Sequence, residues 1–255
     1  MRRLSRLWRI ARFGLAYLTF AAVVLAVSYV AVPLLRWRTS GPGLDLRAQR
    51  ALHVAARLLL RVVLLLRIVK ATRSGTERLR QPGPLLVVAN HPSLLDTPNL
   101  IAMMPEVDFV VEASWAEKPI VRSAIAACAY LRNDAGAEMV EQGVARLRAG
   151  RRLVIFPEGS RSPAGGLHPF RRGAARIALA SGCDILPVLI RCDPPVGTKG
   201  GKWYEVPDRQ PKFSLRVGES FHPRDHLDGS ESRGVAARKV TAALREFYVR
   251  ELAAR

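Results

Sequence analysis

Two short blocks of the chain bring together residue types suited to proton transfer and anion binding. The first is Asn90-His91-Pro92-Ser93-Leu94-Leu95-Asp96. A carboxylate on one imidazole nitrogen fixes the tautomer and stabilises the imidazolium, leaving the other nitrogen to take a proton from a nucleophile. In a straight helix His91 and Asp96 would project about 140° apart, so their pairing requires the chain to turn between them. Pro92 favours that turn. The second block is Phe156-Pro157-Glu158-Gly159-Ser160-Arg161-Ser162. Gly159 lets the backbone turn closely, and Arg161 offers a planar fork suited to phosphate or carboxylate. Glu158 is placed to accept from a hydroxyl or to orient Arg161; a plain Glu158–Arg161 pair in a loop is the alternative. Downstream, Phe170-Arg171-Arg172-Gly173-Ala174 puts two cations ahead of a helix whose amino end itself favours anions.

These blocks need a scaffold, and the surrounding pattern supplies one. From Gly83 onward, short aliphatic runs alternate with helical stretches. The expected strands are Leu85 to Ala89, Val107 to Val111, Ala129 to Arg132, Leu153 to Phe156, Ile185 to Ile190 and Phe213 to Val217. Helices are expected at Leu94 to Met103, Lys118 to Ala127, Glu138 to Ala149, Arg172 to Ala180 and Gly234 to Leu252. Continuously apolar strands imply burial on both faces, hence an α/β domain over residues 81 to 255 with a mostly parallel central sheet flanked by helices. Both blocks then follow strands directly, where ligands collect in such sheets. One long irregular insertion, Cys192 to Lys212, is too rich in Pro and Gly for regular structure over most of its length.

The chain is strongly basic, with a formal net charge of +19 over 255 residues. Its 49% hydrophobic content excludes a disordered polycation. The excess is lopsided: residues 1 to 80 hold 16 Lys and Arg against only Asp45 and Glu77, whereas residues 81 to 255 hold 24 against 19. The same N-terminal segment contains Phe13 to Leu35, 23 residues without a charge, bordered by Arg2, Arg3, Arg6, Arg9 and Arg12 before it and Arg36 and Arg38 after it. Such a run is long enough to cross the roughly 30 Å hydrocarbon core of a bilayer as a helix, and too long for the usual apolar region of a cleaved signal peptide. A second segment, Leu52 to Val69, is aliphatic except for His53, Arg57, Arg61 and Arg67. It suits a membrane interface, its arginines snorkelling to headgroups while Leu58, Leu59, Leu65 and Leu66 enter the acyl region. The other use is a helix packed on the domain with its arginines in water. A simple crossing would leave the domain outside; a hairpin of the two segments keeps both flanks on the cytoplasmic side, facing anionic headgroups. Residues 1 to 80 therefore read as membrane-associated helices, transmembrane or re-entrant over 13–35 and interfacial over 52–69. A basic membrane-binding protein without activity is a competing reading, and a nucleic-acid partner is not favoured.

Cys128, Cys183 and Cys192 have no ligand-like spacing, and His222 and His226 beside Asp225 are interrupted by Pro223, so no metal is expected.

The two blocks together resemble those of the glycerolipid acyltransferase family, best known from bacterial 1-acylglycerol-3-phosphate acyltransferases. Asn90 to Asp96 is similar to the family's His-x-x-x-x-Asp block, and Phe156 to Ser162 to its Phe-Pro-Glu-Gly-Thr-Arg-Ser block, with Ser160 in place of Thr. Phe170 to Ala174 and Ile185 to Ile190 resemble the segments that follow. The remaining block departs: Cys128 to Arg132 keeps only apolar character and Arg132. The resemblance covers roughly residues 83 to 220. It implies that His91 is the general base on an acceptor hydroxyl, oriented by Asp96, and that the alkoxide attacks the thioester of acyl-CoA or acyl carrier protein. Arg161, with Glu158 and the adjoining Gly159 and Ser160, would hold the anionic head of a lysophospholipid, joined by Arg132, Arg171 and Arg172. No cofactor and no covalent acyl-enzyme are implied, and Ser93 and the cysteines are bystanders. The implied acceptor is 1-acyl-sn-glycerol 3-phosphate, giving phosphatidic acid at the cytoplasmic face of a bacterial-type inner membrane; a lyso-ornithine lipid, glycolipid or polyene lipid is the alternative.

Overall fold

The computed structural model describes residues 2–38, 43–163 and 165–254, with side chains from Arg6 onward. The side chains of the flanking Arg2 and Arg3 lie outside the described residues. The chain opens with helix α1 (Arg2–Ala26), a π-helical turn at Val27–Ala31 and helix α2 (Val32–Arg38). Pro33 has no N–H to return to the carbonyl four residues back, and the widened turn immediately precedes it. Helix α3 (Leu44–Leu65) runs back along α1 and leads into strand β1 (Lys70–Ser74). There follow β2 (Leu85–Ala89), α4 (Asp96–Met103), β3 (Asp108–Val111), α5 (Ala113–Ala116), α6 (Pro119–Ala127), β4 (Leu131–Arg132), α7 (Gly136–Arg148), β5 (Arg152–Ile155), α8 (Gly173–Ser181), β6 (Ile185–Asp193), β7 (Lys212–Val217) and α9 (Arg233–Ala253).

These strands form one seven-stranded sheet in the order β1-β7-β6-β2-β5-β3-β4. The run from β6 to β4 is parallel; β7 is antiparallel to β6, and β1 pairs parallel with β7. The class is thus α/β with a mostly parallel sheet, and the six expected strands are present. Strand β1 lies within the segment assigned to the membrane-associated helices. Its sequence, Lys-Ala-Thr-Arg-Ser, lacks an apolar run, as befits an exposed edge.

Alternation along β2 shows how the two cores divide. Val87 and Ala89 face Leu59 and Val63 of α3, Phe13 and Ala16 of α1, and Leu100 of α4. Leu86 and Val88 face Leu147, Ile177, Val240 and Leu244 of α7, α8 and α9. The N-terminal helices therefore cover one face of the sheet and share its core. Fully burying a residue such as Leu59 or Val63 contributes about 1.5–3 kcal/mol, so this docking is part of the fold. Leu59 and Leu66, expected to enter lipid, pack against the core instead, while Leu58 and Leu65 remain exposed. The residues Arg6–Arg38 make a continuous helix long and apolar enough to cross a membrane. One face of it is buried at Phe13, Ala16, Val27 and Val32; the other exposes Leu7, Leu18, Leu25 and Tyr29.

Candidate active site

Strands β2 and β5 are neighbours, yet the connection after β2 runs towards β3 and that after β5 runs towards β6. This reversal opens a crevice at their C-terminal ends. The His91 block follows β2 and the Glu158 block follows β5, so the topology alone puts them side by side.

Asn90 follows β2 and locks it to β6: its side chain donates to Ile190 O at 2.8 Å and accepts from Ile190 N at 2.8 Å. The chain then turns through Pro92 and Ser93 into α4, whose first residue is Asp96. Across that turn His91 Nδ1 lies 2.7 Å from Asp96 Oδ2. A carboxylate only accepts, so Nδ1 carries the proton and Nε2 is left as the base. Asp96 Oδ2 also accepts from Ser93 N at 2.7 Å, and the carboxylate is sealed from solvent. Burial holds the Asp96 pKa above its ordinary value although His91 and Ser93 pull it down. Among the described residues the carboxylate is thus satisfied only through the imidazole and one backbone amide. Phe156 stacks on the His91 ring, centroids 4.1 Å apart and planes at 18°, which fixes the ring from the β5 side.

The second block is a tight turn with Gly159 at φ 72° and Gly159 N donating to Phe156 O. Glu158, buried, does not reach Arg161. Its Oε1 accepts from His91 N at 3.1 Å and from Ser162 Oγ at 2.6 Å, and its Oε2 from His168 N at 2.8 Å. Ser162 N donates to His91 O at 2.8 Å. Glu158 and Ser162 are therefore braces that hold the turn carrying His91, a role invisible in sequence because it depends on the pairing of two separate strand ends.

His91 opens onto a cavity of about 380 Å³ walled by Phe20, Val27, Leu52, Ile101, Phe109 and Ile125, with Gly159, Ser160 and Arg161 at its rim. Arg161 lines the cavity and its Nη1 donates to Gly197 O at 2.6 Å. The remaining expected cations are elsewhere. Arg132 is held by Asp134 and Glu117, at 2.9 Å and 3.1 Å, on the exposed edge strand. Arg171 lies over Gly159, where an added Cβ would meet its Nε at 2.6 Å, and Arg172 is exposed ahead of α8; neither lines the cavity. Lys199 does line it, and its Nζ donates to Ser160 Oγ at 2.8 Å. It sits in the irregular insertion Cys192 to Lys212, where no local motif marks it. Glu112, 3.9 Å from Lys199, adds an acid to the rim.

The cysteines play no part in this arrangement. Burial pushes the Cys128 thiol up to about 12 and Cys192 up to about 11, so neither is a thiolate at neutral pH. His222 pairs with Asp184 and His226 stacks on Phe221.

Comparison with known proteins bears on the sequence blocks and the fold. An Acyltransferase family model matches residues 70–191. The chain is 27% identical over 150 residues to the 1-acyl-sn-glycerol-3-phosphate acyltransferase of Borreliella burgdorferi, a match covering 55% of this chain and 59% of that protein. With the human 1-acyl-sn-glycerol-3-phosphate acyltransferase alpha it shares 26% identity over 206 residues, 68% and 71% of the two chains. In fold it is similar to the crystal structure of the 1-acyl-sn-glycerophosphate (LPA) acyltransferase PlsC from Thermotoga maritima, with a TM-score of 0.65, 21% identity and coverage of 100% and 99%. The family match spans both blocks in their expected order.

Proposed function

We propose that this chain transfers a fatty acyl group from acyl-CoA or acyl carrier protein to the free hydroxyl of 1-acyl-sn-glycerol 3-phosphate, giving phosphatidic acid. The observation that carries the reading is the 2.7 Å contact between His91 Nδ1 and the buried Asp96, at the mouth of an apolar cavity rimmed by Arg161. His91 Nε2 takes the hydroxyl proton as the oxygen attacks the thioester carbonyl; the tetrahedral intermediate collapses, the C–S bond breaks, and the imidazolium returns the proton to the thiolate. Asp96 stabilises the imidazolium in between. The apolar cavity suits hydrocarbon chains, and Arg161 with Lys199 suits a phosphate. No cofactor takes part.

The lipid acceptor implies a membrane, and the exposed apolar side of α1 and α3 supports helices lying in the interface of the cytoplasmic leaflet, with the basic flanks at anionic headgroups. One feature favours a different acceptor: Glu112 at the rim would suit a head bearing an amine, as in a lyso-ornithine lipid. Purified protein offered a panel of lyso-lipids with both donor types, and products identified by mass spectrometry, tests both readings. Wild-type turnover by His91→Ala would overturn the mechanism.

A further inference from the structure

The irregular segment between β6 and β7 carries an aromatic pair that neither the core nor the chemistry uses. Trp203 and Tyr204 are 51% and 44% exposed, their ring centroids 5.6 Å apart with planes at 87°. The Lys202 ammonium stands 5.7 Å above the Tyr204 ring. Large aromatics are left open to solvent at a cost unless something covers them.

Trp203 rests on α1 at Gly14, where an added Cβ would meet its ring at 3.3 Å. At 100° per residue Leu7, Gly14, Leu18 and Leu25 fall within about 40° of one another on the helix. The three leucines are 62%, 69% and 43% exposed, so the indole borders an apolar file facing away from the protein. Arg9 ties the same segment to α1, donating to Asp208 O at 3.0 Å and Asp208 Oδ1 at 2.9 Å. At its other end the segment is stapled to the catalytic turns: Leu94 N and Arg161 Nη1 both donate to Gly197 O, and Ser93 Oγ donates to Val196 O.

We infer that Trp203 and Tyr204 form a bilayer anchor that enters the headgroup region beside α1. Indole and phenol rings combine an apolar body with a polar tip and concentrate at that depth. Lys202 and Lys199, both exposed, suit an anionic lipid surface. Because the loop also holds Gly197 against Arg161 and Leu94, its seating fixes the height of the cavity mouth above the lipid heads. The inference rests on the lipid-acceptor reading and adds a contact point separate from the two N-terminal helices.

The test uses the full chain with Trp8, Trp37 and Trp115 changed to Phe, leaving Trp203 as the sole tryptophan, bound to phosphatidylethanolamine–phosphatidylglycerol vesicles. Lipids brominated high on the acyl chain should quench Trp203 fluorescence more than lipids brominated near the chain terminus. A parallel variant, Trp203→Ser with Tyr204→Ser in the otherwise native chain, should fall about threefold or more in the fraction bound to vesicles, with an unchanged melting temperature; this arm decides if the triple variant does not fold. Vesicle-bound protein with unquenched Trp203, or undiminished binding of the double variant, overturns the anchor alone. A wild-type chain that does not bind vesicles overturns both the anchor and the membrane reading. Protection of Trp203 by acyl carrier protein and not by lipid would assign the patch to that partner and overturn the anchor.

Discussion

Asp96 and Asp108 are both sealed from solvent, one at the C-terminal end of β2 and the other opening β3 at the opposite end of the sheet. Both carboxylate oxygens of Asp108 have partners. Arg151 Nε and Nη2 donate to its two oxygens at 2.7 Å and 2.8 Å, and Gln49 adds a bond at 3.0 Å. Arg151 also reaches Asp45 of α3 at 2.6 Å, so this cluster bolts the N-terminal helices to the sheet. Asp96 has a histidine where Asp108 has an arginine, and its Oδ1 has no partner among the described residues. A guanidinium is charged at all working pH values and closes an account; an imidazole can carry a proton or release it. The partner, not the burial, separates a carboxylate that holds the fold from one that can drive chemistry.

The contrast can be broken by substitution. His91→Ala should lower kcat/KM by about 10³-fold or more, and Asp96→Asn by about 10²-fold or more, with little change in melting temperature; steady-state assay beside thermal unfolding checks both. Asp108→Ala should do the reverse. Removing one partner of a buried pair costs about 3–5 kcal/mol, and denaturant unfolding should show it while turnover per folded molecule stays near wild type. At the rim, Arg161→Ala should raise the acceptor KM about tenfold with a smaller change for the donor.

Acid sharpens the comparison at the bolt. Burial opposes the ionisation of Asp45, but Arg151 prevails and holds its pKa below the ordinary 3.8. A lowered folded-state pKa contributes stability above the unfolded value that is lost as pH falls through the folded one. The melting-temperature deficit of Asp45→Asn should therefore be full near pH 7 and shrink below about pH 3.8. Arg132→Ala and Arg172→Ala should have the smallest effects. Both side chains are exposed, so neither the melting temperature nor the acceptor KM should change measurably.

Much of this molecule is legible in its residues. The aliphatic runs of β2, β5 and β6 and the periodicity of α7 and α9 carry their own signal, and it is the place of His91 and Asp96 between a strand and a helix, more than their spacing, that leads one to expect a dyad. Strand β1 was not legible, because Lys70 to Ser74 has no apolar alternation and exists as a strand only through pairing with β7. Arg132, Arg171 and Arg172 shared a charge with Arg161 and nothing else; which guanidinium faces the cavity depends on strand order and on local acids such as Asp134. Lys199 has the opposite history, ordinary in sequence and brought to the rim by hydrogen bonds from two distant turns to Gly197.

The sequence by itself determined the chemistry available and the class of scaffold, because both follow from residue type and short-range spacing. The tertiary structure alone decided that β2 and β5 lie side by side with their connections running in opposite directions, that Glu158 braces His91 instead of orienting Arg161, and that the basic, apolar N-terminus shares the core of the sheet. Each of these is a contact between residues dozens of positions apart, set by strand order and packing, and no local pattern encodes it.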